Sequence, residues 1–300
     1  MTLLNIANDG LYNVLIVLCK TVSQEGPIDR DKLAEICSIK EKDSEVKIRQ
    51  TLHRWTQLGL FLDHSDKLTL CSSAAKKLKG CKTPEEVTRT LPSILREIVF
   101  KEENNNNFWD REETRASDLN RALAWILAQN IYTFSISTRA ESEAVEQKQL
   151  SDPGKRILQN DVRFNGLRFW AQFLGFTWRS RVTMVDPTQA VKEECRALFT
   201  MGKDYQAGKF IEALATRIPV IDGGTYRQSV EGILDQQHWQ KPSNEQMLST
   251  SLSRALWRLE LAGIIDLESR ADAQSNRVLQ RQQGLELRSF THVLYRGEEQ

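Results

Sequence analysis

The sequence predicts a mainly α chain, with one helix-and-hairpin module at each end of a helical body. Three observations predict it. VKIRQTLHRWTQLGLF (46–61) and STSLSRALWRLELAGI (249–264) superpose with Leu252 on Ile48, Leu256 on Leu52, Arg258 on Arg54, Leu259 on Trp55 and Gly263 on Gly59. Apolar pairs, Leu60-Phe61 and Ile264-Ile265, follow the two glycines and open stretches that read as strands. Shorter helical stretches precede each long helix, so three helices and a hairpin recur, the arrangement of a winged helix-turn-helix. The expected bounds are 1–80 for an N-terminal winged helix, 81–224 for a helical middle domain, and 225–300 for a C-terminal winged helix with a long wing.

Each element has a local reason. GLYNVLIVLCKTVSQEG reads as a buried helix ending at Gly26. Asp29 caps a short helix carrying Leu33, Ile36 and Cys37 on one face, and Ser44 caps the helix of Ile48, Leu52 and Trp55. LFLDHSDKLTLC supplies two strands around a polar turn. In the middle, TPEEVTRTLPSILREIVF is a helix interrupted at Pro92, KEENNNNFWDREE a polar, mobile loop, and SDLNRALAWILAQN an amphipathic helix. AESEAVEQKQLSDPG lies at the surface, and Asp186-Pro187 opens a further helix. From 225, YRQSVEGILDQQ and a short SNEQMLS helix precede the long one. IIDLESR begins a strand, 271–287 forms a polar wing tip, and LRSFTHVLYRG returns.

Composition limits the function classes. Forty-one Lys and Arg nearly cancel 40 Asp and Glu, so any nucleic-acid contact must come from a local patch rather than a global field. The five cysteines (19, 37, 71, 81, 195) form no C-x-x-C, and none pairs with a histidine at metal-ligand spacing; reduced thiols in a cytoplasmic protein are expected. LYNVLIVLC is far shorter than the about 20 residues a membrane helix needs, and Asp9 before it argues against a signal peptide. There is no G-x-x-x-x-G-K-[ST], G-x-G-x-x-G or G-x-S-x-G. Glu146-Gln147-Lys148 matches the E-x-K fragment of some nucleases but lies outside any strand, and it is set aside as chance. No catalytic residue, cofactor, metal or small-molecule substrate is expected.

A helix of this kind packs one face on its neighbours and offers the other to the DNA major groove. On the C-terminal copy that face carries Ser251, Ser253, Arg254, Trp257 and Arg258, with Arg277 in the wing; the serine-arginine run resembles that of many bacterial winged-helix regulators. On the N-terminal copy it carries Lys47, Arg49, Gln50, His53 and Arg54, with Gln50 in the place of Arg254. Glu41, Asp43 and Glu45 crowd the start of that helix, which disfavours approach to phosphate. Arg54 and Arg258 fit an ion pair within the domain as well as a phosphate contact. The aromatic run FNGLRFWAQFLGFTW has two readings. Core packing is favoured; the other is an exposed surface beside Arg163, Arg168, Arg179 and Arg181 that stacks on unpaired bases.

The opening LNIANDGLYNVLIVL, the block IRQTLHRWTQLGLF and the central FWAQFLGFTW…VDPTQA together resemble the DpdG-type accessory proteins of bacterial clusters that insert 7-deazaguanine derivatives into DNA and restrict unmodified phage DNA. The resemblance implies a bacterial cytoplasmic component working among helicase-like and nuclease-like partners, and it transfers no catalytic residue. The expected function is a non-enzymatic adaptor that binds double-stranded DNA and other proteins of a defence complex, without a membrane partner. A protein-only scaffold and a transcription regulator are the alternatives.

Overall fold

Leu15, Leu18, Cys19 and Val22 follow helical spacing and are buried together along α1 (Tyr12–Glu25), which stops at Gly26 with φ +75°. The computed structural model describes residues 2–4, 12–38, 42–65, 67–110, 115–199, 204–271, 276–282 and 285–297. Strand β1 (Ile28–Asp29) leads into α2 (Arg30–Cys37), where the Asp29 carboxylate accepts from the N–H groups of Asp31 and Lys32 as expected of a cap. Helix α3 (Lys42–Gln57) starts earlier than the sequence suggests, so Ser44 lies inside it. Its apolar stripe of Ile48, Leu52 and Trp55 is fully buried. Strands β2 (Phe61–His64) and β3 (Lys67–Leu70) form the antiparallel hairpin, Phe61 opposite Leu70, and β1 adds to β3 to give the order β1-β3-β2.

Helix α4 (Ser72–Leu78) follows, then α5 (Pro84–Val99), opened by a capping box between Thr83 and Glu86. Helix α5 continues past Pro92 without interruption, because its buried face (Val87, Leu91, Ile94, Leu95, Ile98) outweighs one lost backbone bond. The asparagine run is not a simple polar loop. Asn104 Nδ2 donates to Leu58 O (3.0 Å) and Ile98 O (2.9 Å), and Asn105 Nδ2 to Val99 O (2.8 Å), satisfying helix-end carbonyls from buried positions. Helix α5 packs on α1 and α4, and the first compact unit extends over Met1–Asp118, past the bound expected at 80.

The second unit is Leu119–Gln300. Helix α6 (Ser117–Ala128) begins at the division and is buried along its whole length, where the sequence suggests an amphipathic helix. It is followed by α7 (Arg139–Gln149), α8 (Asp161–Phe173), β4 (Thr177–Arg179) and β5 (Thr183–Val185). Next come α9 (Thr188–Leu198), β6 (Tyr205–Gln206), α10 (Ala207–Arg217) and α11 (Thr225–Glu231). The chain finishes with α12 (Thr250–Leu261), β7 (Ile265–Glu268), β8 (Arg277–Gln280), β9 (Glu286–Phe290) and β10 (His292–Tyr295).

The sheet order β6-β10-β7 matches β1-β3-β2, and α9 packs on α10 and α12 as α1 packs on α2 and α3. The counterparts of α1 and β1 therefore lie upstream of the bound expected at 225, and the 224/225 bound falls within the second unit. SNEQMLS forms no helix. It runs beside β8, with Val278 N donating to Gln246 O and Leu248 N to Val278 O, both at 2.9 Å. The expected polar wing tip is in its described part the β8–β9 hairpin, which packs on α12 with Val278 and Leu279 buried. The fold is mainly helical with small antiparallel sheets, and no helix of the described residues is long and apolar enough to cross a membrane.

Among the described residues, one unit of backbone geometry occurs three times. Gly59, Gly175 and Gly263 each end a long helix with φ of +85°, +83° and +68°. Gly59 N donates to Thr56 O and Leu60 N to Trp55 O; Gly175 N donates to Gln172 O and Phe176 N to Ala171 O; Gly263 N donates to Glu260 O and Ile264 N to Leu259 O. This pair of bonds is the Schellman motif, which a left-handed glycine makes possible. The strand return is shared too: Cys71 N donates to Leu60 O, Asp186 N to Phe176 O and Arg296 N to Ile264 O, at 2.8–3.0 Å. The matching stretches 46–61 and 249–264 belong to the outer two copies, and α8–β4–β5 shares the geometry without sharing their sequence pattern.

Candidate nucleic-acid interface

The first turn of α12 is turned inward. Ser251 Oγ donates to Leu127 O at 2.7 Å, and Ser253 Oγ donates to Leu248 O (3.4 Å) while accepting from Gln280 N (3.0 Å). Thr250 Oγ1 donates to Gln129 O, and the Ser249 cap is held by Asp222. Ser251 and Ser253 are thus closed off by α6 and by β8, and the expectation that they face a DNA groove is corrected. A serine hydroxyl that finds its partners more than a hundred residues away leaves no trace in local spacing.

Arg254 and Arg258, the two arginines expected at the groove, converge on one buried carboxylate. Arg258 Nη1 donates to Asp186 Oδ2, and Arg254 Nε stands 3.5 Å from the same oxygen. Asp186 Oδ1 accepts from Thr188 N (3.1 Å) and from the Thr188 hydroxyl, so this carboxylate also opens α9. The arginines therefore tie α12 to the end of β5, which realises the ion-pair reading of Arg258. Trp257 is 41% exposed on the same helix. Arg277 is half-buried at the start of β8 and donates to Asn276 O (3.0 Å).

On α3 the outward face is more open but electrically occupied. Arg49 bonds Asp31 (2.6 Å) and Glu45 (2.9 Å), which raises its already high pKa through those two carboxylates. Gln50 and His53 are exposed, with His53 Nε2 against Gln57 Nε2 at 3.1 Å, and Lys47 is half-buried. Arg54 does not belong to this face. It is 2% exposed and donates to Thr2 O, so the phosphate reading for it is corrected: its position on the helix points into the core. Glu41 lies outside the described residues.

The α8 copy presents the opposite picture. Asn165 and Gln172 are exposed and Arg168 half-exposed, its guanidinium 5.6 Å from the Phe164 ring centroid and bonded to Thr183 Oγ1 (3.3 Å). Arg163, Phe164 and Trp170 are buried, in line with the favoured core reading of the aromatic run. The hairpin behind the helix is different: Trp178 is 60% and Val182 53% exposed, with Arg179, Ser180 and Arg181 exposed between them. From 162 to 185 the chain has four arginines and no Asp or Glu.

Other groups serve packing. Glu146 on α7 accepts from the backbone N–H of Ile157 and of Leu158 (2.8 Å), and burial pushes its carboxyl pKa up. The E-x-K match is therefore a buried helix residue holding the α7–α8 connection. A cavity of about 660 Å³ opens beside the start of α12, but the Gln129 and Gln149 amides at its wall bond each other (2.8 and 3.1 Å) and Arg227 bonds Glu231 (2.5 Å). Burial raises the Cys19 and Cys195 thiol pKa values well above the usual range, and among the described residues no His, Cys, Asp and Glu cluster is placed to hold a metal.

Compared with known proteins, the chain matches no curated protein and no solved structure. It does match the DpdG-like family over residues 1–273, nearly its whole length. That match accords with the opening, helix and central aromatic blocks named above, and it associates the protein with a DNA modification system: the chain belongs to the DpdG-like family.

Proposed function

We propose that the protein is a DNA-binding adaptor of a DNA modification and restriction system, built from winged helix-turn-helix modules and contributing no catalytic residue of its own. The observation that carries this reading is the matched order of helices and strands in the two outer copies, α1-β1-α2-α3-β2-β3 and α9-β6-α10-α12-β7-β10, with sheets ordered β1-β3-β2 and β6-β10-β7. A three-helix core backed by such a sheet holds its third helix as a rigid rod and sets a hairpin beside it, a geometry suited to a groove and its flanking phosphates. Family membership supports a DNA-centred role. On the N-terminal copy, Lys47, Gln50 and His53 remain the candidate contacts, while Arg49 would first have to leave Asp31 and Glu45.

Fluorescence anisotropy of the purified protein with duplex and single-stranded DNA across a salt series tests the reading. Saturable binding that weakens with salt is expected, because phosphate contacts release counterions. A well-folded sample that binds no DNA at low salt would overturn it. A protein scaffold is the second reading, favoured by Ile36 and Val46, both 52% exposed on α2 and α3.

A further inference from the structure

We propose that the β4–β5 hairpin, with the outer face of α8, is the principal nucleic-acid contact of the chain, and that it takes unpaired DNA. This rests on the adaptor reading and names the site at which it acts. Four observations converge on that hairpin.

The first is charge. The whole sequence balances 41 basic against 40 acidic residues, yet 162–185 carries Arg163, Arg168, Arg179 and Arg181 with no carboxylate. Among the described residues Arg179 and Arg181 form no ion pair, unlike Arg49, Arg254 and Arg258. Their charge is available to phosphate without a competing bond being broken.

The second is register. Thr177 pairs with Val185 and Thr183 with Arg179, and Thr177, Thr183 and Val185 are all buried. Trp178 pairs with Met184 on the alternate face, so the strand period turns the indole outward. Ser180 N donates to Val182 O at 3.1 Å and closes the tip, which brings Arg179, Arg181 and Val182 around the same end. A large apolar ring, 60% exposed and followed by a tip that carries two exposed arginines and an exposed Val182, is a surface suited to a partner.

The third is the helix. The exposed positions of α8 after its first residue are Asn165 and Gln172, with Arg168 between them. Amides and a guanidinium form hydrogen bonds to bases and phosphates alike. Asp161, the one acidic residue of α8, stands at its N-terminus beside Arg139 (3.2 Å).

The fourth is contrast within the molecule. The first hairpin puts Asp63 in an ion pair with Arg30, and the corresponding face of α12 is closed by β8. In α8–β4–β5 the exposed tryptophan and two exposed arginines without an ion pair, Trp178, Arg179 and Arg181, fall within four consecutive residues of one hairpin. Indole faces stack on any unpaired base, and arginines at the adjoining tip can hold the backbone; a paired base hides its face in the duplex.

Three probes decide the matter: a labelled dT strand, a blunt duplex, and the same duplex with a dT tail, each titrated with wild type, Trp178→Ala, Trp178→Phe and Arg179→Ala/Arg181→Ala. Trp178→Ala should weaken binding of the strand and the tailed duplex on the order of tenfold, with Trp178→Phe close to wild type. The double arginine variant should reduce the slope of log K against log salt on the strand by about 1.4. Quenching of tryptophan fluorescence by dT should fall in Trp178→Phe. Variants that bind all three probes like wild type would overturn the hairpin assignment while leaving the adaptor reading in place. A loss confined to the blunt duplex would overturn the unpaired-DNA assignment. Absence of any saturable DNA binding by folded wild type would take down both. The substituted side chains are exposed, so unchanged circular dichroism and melting separate binding from folding.

Discussion

Helices α8 and α12 end in the same way and face opposite fates. Both stop at a glycine with positive φ, both make the same pair of backbone bonds, and both feed a strand. Yet the first turn of α12 is covered by α6 and β8, while α8 keeps Asn165 and Gln172 exposed and leads into a strand with an exposed Trp178. The difference teaches that the repeated element is a folding device. Left-handed glycine and the apolar residue after it set how helix meets strand; what the remaining face does depends on which distant segment lands on it.

The largest test of this comparison is Arg254→Ala/Arg258→Ala. If these arginines serve packing, removing both strands Asp186 as a buried carboxylate without its cations. Uncompensated buried charge costs about 3 kcal/mol, so a pronounced fall in the urea midpoint is expected with DNA affinity per folded molecule unchanged. A variant of wild-type stability that loses DNA binding would reverse the roles assigned to α12 and α8.

Glycine to alanine at the three helix ends comes next. At Gly59 and Gly263 an added Cβ meets nothing within 4 Å, so only the left-handed backbone is penalised, by about 1 kcal/mol. At Gly175 the Cβ would stand 3.0 Å from Ala190 N, which itself donates to Gly175 O, and the cost should rise to roughly 2–3 kcal/mol. Equal destabilisation at all three positions would show that the central copy is no more tightly joined to the helix after its hairpin than the outer ones.

How much of this could be read from residues alone follows from the same glycines. Gly59 and Gly263 announce themselves because Leu52 and Leu256, and Trp55 and Leu259, stand at matching distances before them. Before Gly175 the matching places hold Arg168 and Ala171, so the third copy is masked by its own aromatic run. The counterparts of α1 and β1 in the C-terminal copy are hard to read from the repeat, because α11 and an irregular run to 249 separate α10 from α12, which no local period bridges. Arg54 and Arg258 share a sequence position and part company in space, one bonded to Thr2 O in the core and the other to Asp186. Exposure of α12 was the least legible feature, since serines on a helix carry the same pattern whether water or a carbonyl receives them.

Glu146→Gln probes the connection that leads into α8. The folded carboxyl titrates above its unfolded value of about 4.3 because burial opposes its charge more than two backbone N–H groups favour it. The native state then holds the proton more tightly, so stability is full below the unfolded pKa and is lost as pH rises through the window up to the raised folded value. Glutamine accepts the same N–H groups without ionising. Its melting temperature should exceed that of wild type at pH 7 and converge with it at pH 4. A constant difference across that range would assign the effect to packing rather than to charge.

The smallest expected effect on stability is at the hairpin itself. Arg179 and Arg181 are exposed and make no ion pair among the described residues, so Arg179→Ala/Arg181→Ala should alter stability by less than about 0.5 kcal/mol. That near-zero value is what gives the comparison its force. Arginines that hold the fold and arginines that wait for a ligand differ in what their loss does before any DNA is added. A melting curve that moves as far for the hairpin pair as for Arg254 and Arg258 would place all four in packing, and the open face of α8 would lose its special standing.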